Sequence, residues 1–253
     1  MNLDRRNKII DIVSHQRTIK NSEIMERFNV SIETVRRDLE YLEQQGYLRR
    51  VYGGAVLNAS LSSEPEYNSR TKVFFKEKAA IAAEAAKLIR PGDSIYLGVG
   101  TTVQALATHI KHVGEITVFT NALRTAVELS ESQDCTVILP GGQLRPKELT
   151  LSGFPADENF AHFNIDKAFI GIGGITEQGI TDFHIGEAQI HRQLIKNSRQ
   201  AIVLTDSGKL DHRAIVNVCS LDDIDTIITD SNAPKHALKA LEQAGVNVII
   251  AKV

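Results

Sequence analysis

The sequence predicts an α/β protein in two parts: a small helical head, then a larger domain built on a mainly parallel sheet. Three observations predict it. Residues 1–57 hold three closely spaced amphipathic helix patterns. From Glu77 onward helical patterns alternate with short apolar β-like runs, as in layered α/β domains. Between them, residues 58–72 (NASLSSEPEYNSRTK) are polar, contain Pro65 and show no periodicity, which marks a boundary. The chain therefore divides into a head at 1–57, a linker at 58–74 and a body at 75–253.

In the head, residues 3–14 place Ile9, Ile10 and Val13 at helical spacing, and residues 22–28 do the same with Ile24, Met25 and Phe28. Only Asn29-Val30-Ser31 separates the second pattern from the third. Ser31 suits the N-cap of IETVRRDLEYLEQQ, whose Ile32, Val35, Leu39 and Leu42 form one apolar stripe and which stops at Gly46. Two helices joined by so short a turn make a helix-turn-helix, and the second of them can enter the DNA major groove. After Gly46, YLRRVYGGAV reads as a hairpin turning at Gly53-Gly54, which completes a winged helix-turn-helix.

At about 100° per residue, Glu33 and Arg37 point away from the apolar stripe, with Thr34 and Arg36 at its flanks. A guanidinium matches guanine O6 and N7, so Arg37 is the leading base-edge residue; Arg36 and Thr34 suit phosphates or thymine methyls. The candidate DNA contacts are Ser31, Thr34, Arg36 and Arg37 on the helix, with Arg49, Arg50, Tyr52 and Gly53 on the wing. Any one of these arginines alone fits a solvated helix face; the turn, the cap and the basic wing together favour DNA. Charge agrees: residues 1–57 carry ten Lys/Arg against eight Asp/Glu, whereas the remainder carries nineteen against twenty-three.

In the body the patterns run helix 78–89, strand 94–97, helix 103–110, strand 116–119, helix 123–130, strand 136–139, strand 167–172, helix 187–197, strand 201–204, strand 226–228, helix 234–244 and strand 246–250. Ligands of such sheets bind beyond the carboxyl ends of the strands, at a topological switch point. GVGTT, residues 98–102, follows a strand and opens a helix. Its glycines admit an anion to the backbone, Thr101 and Thr102 add hydroxyls, and helix-start N–H groups favour negative charge. The loop lacks the Gly-Lys-Ser/Thr of a Walker A motif and the third glycine of a dinucleotide fingerprint. Alone it fits a tight turn equally well, but the other strand-end loops bring Asn121, Gly141, Gly142, Gly173, Gly174, Asp182, His184, Glu187 and Lys209. Carboxylates suit sugar hydroxyls and Lys209 suits a phosphate. His184 and His191 are seven residues apart with no third clear ligand, so no metal is expected. Cys135 and Cys219 have no metal or redox spacing and read as reduced, buried thiols.

Residues 30–56, VSIETVRRDLEYLEQQGYLRRVYGGAV, closely resemble the DNA-binding signature of the DeoR family of bacterial sugar-catabolism repressors. The rest of the chain resembles that family's C-terminal sensor domain through GVGTT, TNAL, PGGQLR, DKAFIGIGGI, GITDFHIGEAQIHRQLI, LTDSGK and DDIDTIITD. The resemblance implies a sensor fold similar to ribose-5-phosphate isomerase. It makes Gly100, Thr101 and Thr102 the phosphate cradle, Asn121 and Gly142 the pocket wall, and Glu187 and Lys209 polar ligand contacts, with Gly98 at the start of the same loop a further candidate effector contact. The chain departs from the family pattern in two places: Gly98-Val99 stands where members often have Asp-Ser, and Gly208 where they often have a second serine.

The function expected is a repressor of carbohydrate-catabolism genes that binds double-stranded operator DNA and responds to a phosphorylated sugar or polyol. The alternative is a sugar-phosphate isomerase with Glu187 as general base and Asp182 or Lys209 polarising the carbonyl. One head offers a small footprint, so a homo-oligomer, dimer or tetramer, is expected. No cofactor is implied. No apolar run approaches the roughly 18 residues of a membrane span, and the N-terminal pattern lacks a signal-peptide core, so the expected location is the cytoplasm.

Overall fold

A computed structural model describes residues 2–57 and 64–253. The chain forms two compact units, Met1–Phe75 and Lys76–Val253.

The first unit runs α1 (Asn2–Gln16), β1 (Thr18–Lys20), α2 (Asn21–Phe28), α3 (Ile32–Gln44), β2 (Leu48–Val51), β3 (Gly54–Leu57) and α4 (Tyr67–Arg70). The turn between α2 and α3 works because Asn29 takes the left-handed conformation (φ 49°) and its N–H caps Met25. Ser31 then accepts the Thr34 N–H at 3.4 Å to start α3. The wing has one strand more than the hairpin pattern indicates, because β1 pairs antiparallel with β3 to give the order β1-β3-β2. That pairing fixes Gly54 as glycine: a Cβ there would lie 2.1 Å from the Ile19 carbonyl oxygen. Ile9, Ile19, Ile24, Val35, Leu39, Leu42 and Leu48 close the core.

Residues 64–74 are not a featureless linker. They contain α4 and bury Val73 against the head core, so the boundary falls between Phe75 and Lys76. The rest of the expected linker, 58–63, lies outside the described residues.

The second unit begins on α5 (Phe75–Ala86) and continues with β4 (Ser94–Leu97), α6 (Thr101–His109), β5 (Ile116–Thr120), α7 (Leu123–Leu129), β6 (Cys135–Ile138), β7 (Gln143–Arg145), β8 (Thr150–Ser152) and α8 (Ala156–Phe160). There follow β9 (Ile165–Gly171), β10 (Gly174–Thr176), β11 (Gly179–Asp182), α9 (Ile185–Asn197), β12 (Ser198–Leu204), β13 (Val216–Cys219), β14 (Thr226–Asp230), α10 (Lys235–Gln243) and β15 (Asn247–Ala251). Seven strands form one parallel sheet in the order β15-β14-β12-β9-β4-β5-β6. Alternate side chains face opposite layers. Ile95, Leu97, Phe169, Ile202, Leu204 and Ile228 pack with α5 and α6, whereas Tyr96, Ala168, Ile170, Val203 and Ile227 pack with α8, α9 and α10.

From β4 the chain first winds outward through β5 and β6, then returns to the other flank of β4 with β9. The switch point therefore lies between the carboxyl ends of β4 and β9. No described helix is long and apolar enough to cross a membrane.

Candidate functional site

On the head, Arg36 and Arg37 are exposed on α3, Thr34 is half-buried at its start, and Ser31 spends its hydroxyl on the cap and on a 3.3 Å contact with the Thr34 hydroxyl. Arg49 is exposed on β2. Arg50 is engaged: its backbone N–H and its Nε each donate to the Glu43 carboxylate at 2.7 Å, bracing the wing against α3. Those bonds hold the Glu43 carboxyl below its ordinary range. Tyr52 is fully exposed at the wing tip beside Gly53, which has φ 82°.

Asp38, absent from the sequence-based candidates, is the inner brace of α3. Buried to 2 % exposure, it accepts Arg5 Nε at 2.6 Å and Arg6 Nε at 2.7 Å, and the Arg6 guanidinium also lies 3.9 Å over the Tyr41 ring.

In the body, GVGTT occupies the switch point. Gly98 N–H donates to Phe169 O at 2.9 Å, and Gly100, at φ 126°, is the residue before α6. Gly171 closes the crevice from β9: a Cβ on it would lie 2.3 Å from Val99 O, so only glycine allows the two strand ends to meet. Thr101 and Thr102 begin α6, whose first N–H groups have no intrahelical acceptor. Lys209 Nζ donates to the Ile172 carbonyl, so it stands at the carboxyl end of β9.

Behind GVGTT lies a buried polar cluster. A Cβ on Gly98 would sit 3.1 Å from His191 Nε2 and 3.2 Å from the Tyr96 ring. His191 Nδ1 is 3.3 Å from Asp182. Tyr96 donates to Asn121 Oδ1 at 2.8 Å, and burial, then the nearby Glu187 and Asp182 charges, raise its hydroxyl well above the ordinary tyrosine range. It is a fixed neutral donor. Glu187, also 2 % exposed, accepts the Thr150 hydroxyl at 2.6 Å and Arg145 Nη1 at 3.1 Å. An isomerase would need Glu187 as a poised base, yet one of its oxygens holds two donors.

The remaining candidates divide between this edge and packing. Gly141 and Gly142 have φ 74° and 102° just before β7, and His184 precedes α9. Gly173 and Gly174 make room for neighbours: Cβ atoms there would meet Ala214 and Asp182 at 3.0 Å and the His212 carbonyl at 2.4 Å. One strand further along, Lys78 of α5 lies 4.0 Å from buried Asp206, next to Asp230. Asp230 accepts the Ser207 and Asn232 N–H groups, while burial raises its carboxyl above the ordinary range. Cys135 and Cys219 are free and half-buried, and burial pushes the Cys219 thiol up to about 12, which leaves no ready thiolate.

Residues 5–61 match the DeoR-like helix-turn-helix domain and residues 74–231 the DeoR C terminal sensor domain. Among curated relatives, the HTH-type transcriptional regulator GolR of Listeria innocua is 34% identical, with 98% of each chain covered. The HTH-type transcriptional repressor GlcR of Bacillus subtilis is also 34% identical, over 96% of this chain and 93% of that one. The Glycerol-3-phosphate regulon repressor of Escherichia coli is 32% identical over 94% of each. Among solved structures, a D-ribose-5-phosphate isomerase in complex with phospho-erythronic acid aligns at 17% identity and TM-score 0.41; the alignment spans about half of each chain, 54%. With both family models matched and the curated relatives aligned nearly end to end, the chain belongs to the DeoR family: it is a helix-turn-helix transcriptional regulator with a C-terminal sensor domain.

Proposed function

We propose that the protein represses carbohydrate-catabolism genes, that its heads bind operator DNA as part of a homo-oligomer, and that a phosphorylated sugar or polyol bound at the switch point changes that binding. The observation that carries the sensing half is the position of GVGTT. Glycines, two hydroxyls and a helix start converge at the crevice between β4 and β9, with Lys209 at the neighbouring strand end. The polar cluster behind it, Tyr96, Asn121, Asp182 and His191, supplies donors and acceptors of the kind sugar hydroxyls need. The names of the glycerol-3-phosphate regulon repressor and of GlcR, a repressor, support the same reading.

The DNA half rests on α3, with Arg37 reading a base and Arg36 and Arg49 meeting phosphates. Arg37→Ala is expected to cost about 1–3 kcal/mol at the operator and to relax preference at one base pair. Arg49→Ala should instead weaken all sequences alike and flatten the salt dependence. Fluorescence anisotropy over a salt series, on the operator and its single-base variants, separates the two. Wild-type affinity for Arg37→Ala would remove it from the reading face.

A further inference from the structure

Strands β7 and β8 form a two-stranded sheet apart from the parallel one, joined to the loop after β5 by an isolated antiparallel bridge between Thr150 and Ala122. Their hairpin has positive-φ glycines at both ends: Gly141 and Gly142 before it and Gly153 after it, at 74°, 102° and 70°. It brings little apolar surface to the core, since Leu144 is exposed and Leu151 half-buried. Polar bonds hold it instead. On one side Asn121 brackets Leu151, accepting its N–H at 2.8 Å and donating to its carbonyl at 3.0 Å, and Leu123 N–H donates to Leu149 O at 2.9 Å. On the other side the cross-strand pair at the turn end of the ladder, Arg145 and Thr150, converges on Glu187 through the guanidinium and the hydroxyl.

Glu187 thus buries a charge that Arg145 compensates only while the hairpin is docked, so docking and charge neutralisation are one event. A segment held this way, with few apolar contacts, opens before the core does. The Arg145 side chain remains 28 % exposed while it holds Glu187. Through Asn121 and Tyr96 the hairpin adjoins the wall behind Gly98.

We propose that Arg145 is a ligand-contacting, specificity-determining residue presented by a hinged lid, Gln143–Ser152, and that Glu187 is its positioning residue, the latch that holds Arg145 over the sensor site. Because Glu187 already neutralises it, Arg145 donates to a hydroxyl or carbonyl oxygen at the sugar end of the ligand, leaving the phosphate to the GVGTT cradle. The latch stands on the geometry alone; the ligand contact rests on the sensor reading above.

Hydrogen–deuterium exchange of the full chain tests both, read at Leu149–Ser152 and, as a control for an intact fold, at β9. In the ligand-free protein, Arg145→Gln removes the guanidinium's charge from beside buried Glu187 and should speed exchange of the hairpin by about tenfold or more while β9 stays unchanged. Adding Glu187→Gln, which removes the buried charge, should recover part of that loss. Hairpin exchange equal to wild type in Arg145→Gln overturns the latch. A panel of phosphorylated sugars and polyols of three to six carbons, with inorganic phosphate as reference, tests the contact. The compound that raises the melting temperature most should slow hairpin exchange in wild type, inorganic phosphate should not, and Arg145→Gln should abolish the slowing. A compound that binds and leaves hairpin exchange unchanged overturns the lid but spares the sensor reading. A panel with no binder counts against the sensor reading, and the Arg145 contact falls with it.

Discussion

Asp38→Ala is expected to abolish operator binding by unfolding the head while the body stays folded. The Asp38 carboxylate is the counter-charge for Arg5 and Arg6, both largely buried, and it ties α1 to α3 across 32 and 33 residues of sequence. Breaking such a pair from one side costs about 3–5 kcal/mol, because the cations left behind lose their solvation without compensation. A unit of this size seldom has more than about 3–5 kcal/mol in its core, so the loss is comparable with the whole. Thermal unfolding followed by circular dichroism should show the head transition lost or moved far down, with the transition of the α/β unit in place. Operator binding should vanish, unlike the graded loss expected for Arg37→Ala. A variant that melts and binds like wild type would mean that Ile9, Val13, Val35 and Leu39 hold the two helices together unaided.

Gly171→Ala should be the most damaging single-methyl change in the body. Gly171 has no positive φ to protect; the obstacle is the Val99 carbonyl oxygen 2.3 Å from the added Cβ, with Val103 at 3.4 Å behind it. The methyl meets a backbone oxygen, so no side-chain rotamer can relieve it. Overpacking of this kind costs about 3 kcal/mol or more, roughly 6–12 °C in the melting temperature of a unit this large. The displaced residue belongs to GVGTT, so the response to ligand should disappear even where the protein still folds, and operator binding without ligand should persist. Gly114→Ala, with nothing within 4 Å of its added Cβ, is the matched control and should be close to neutral. Retained ligand response in Gly171→Ala would separate the crevice between β4 and β9 from sensing.

The same two positions show where sequence is informative and where it is not. The strands of the parallel sheet and their helices could be read to within a few residues, because burial on both faces leaves continuous apolar runs such as AFIGI and helices repeat over several turns. The Ser31 cap and the short turn before it were legible for the same local reason. Strands β1, β7, β8 and β10, each of three residues, were not, since that length holds no periodicity to detect. The linker misled because polarity and Pro65 describe the chain but not where Val73 finds its partners. Side-chain roles that depend on distant partners were hidden altogether. Nothing in RRDLE distinguishes the buried Asp38 from its exposed neighbour Glu40, because the deciding arginines lie at positions 5 and 6. Arg145, at the end of PGGQLR, becomes informative only once Glu187 stands 3.1 Å away.

The central claim, that a phosphoryl group held by GVGTT controls the head, is tested most directly by fluorescence anisotropy of the full chain on the DNA upstream of its own coding sequence. Operator affinity would be measured alone and with each of a panel of phosphorylated sugars and their unphosphorylated counterparts. At least one phosphorylated compound should change the affinity by about 5- to 150-fold, the range of ordinary allosteric coupling, and its unphosphorylated counterpart should not. In Thr102→Val, which keeps the branched shape and removes the hydroxyl, the ligand-free affinity should match wild type. The concentration of phosphorylated compound needed for the response should rise by about 10- to 100-fold, the worth of a hydrogen bond to a charged group. An equal response to the phosphorylated and unphosphorylated forms, or a Thr102→Val dose response superimposed on wild type, would contradict the claim.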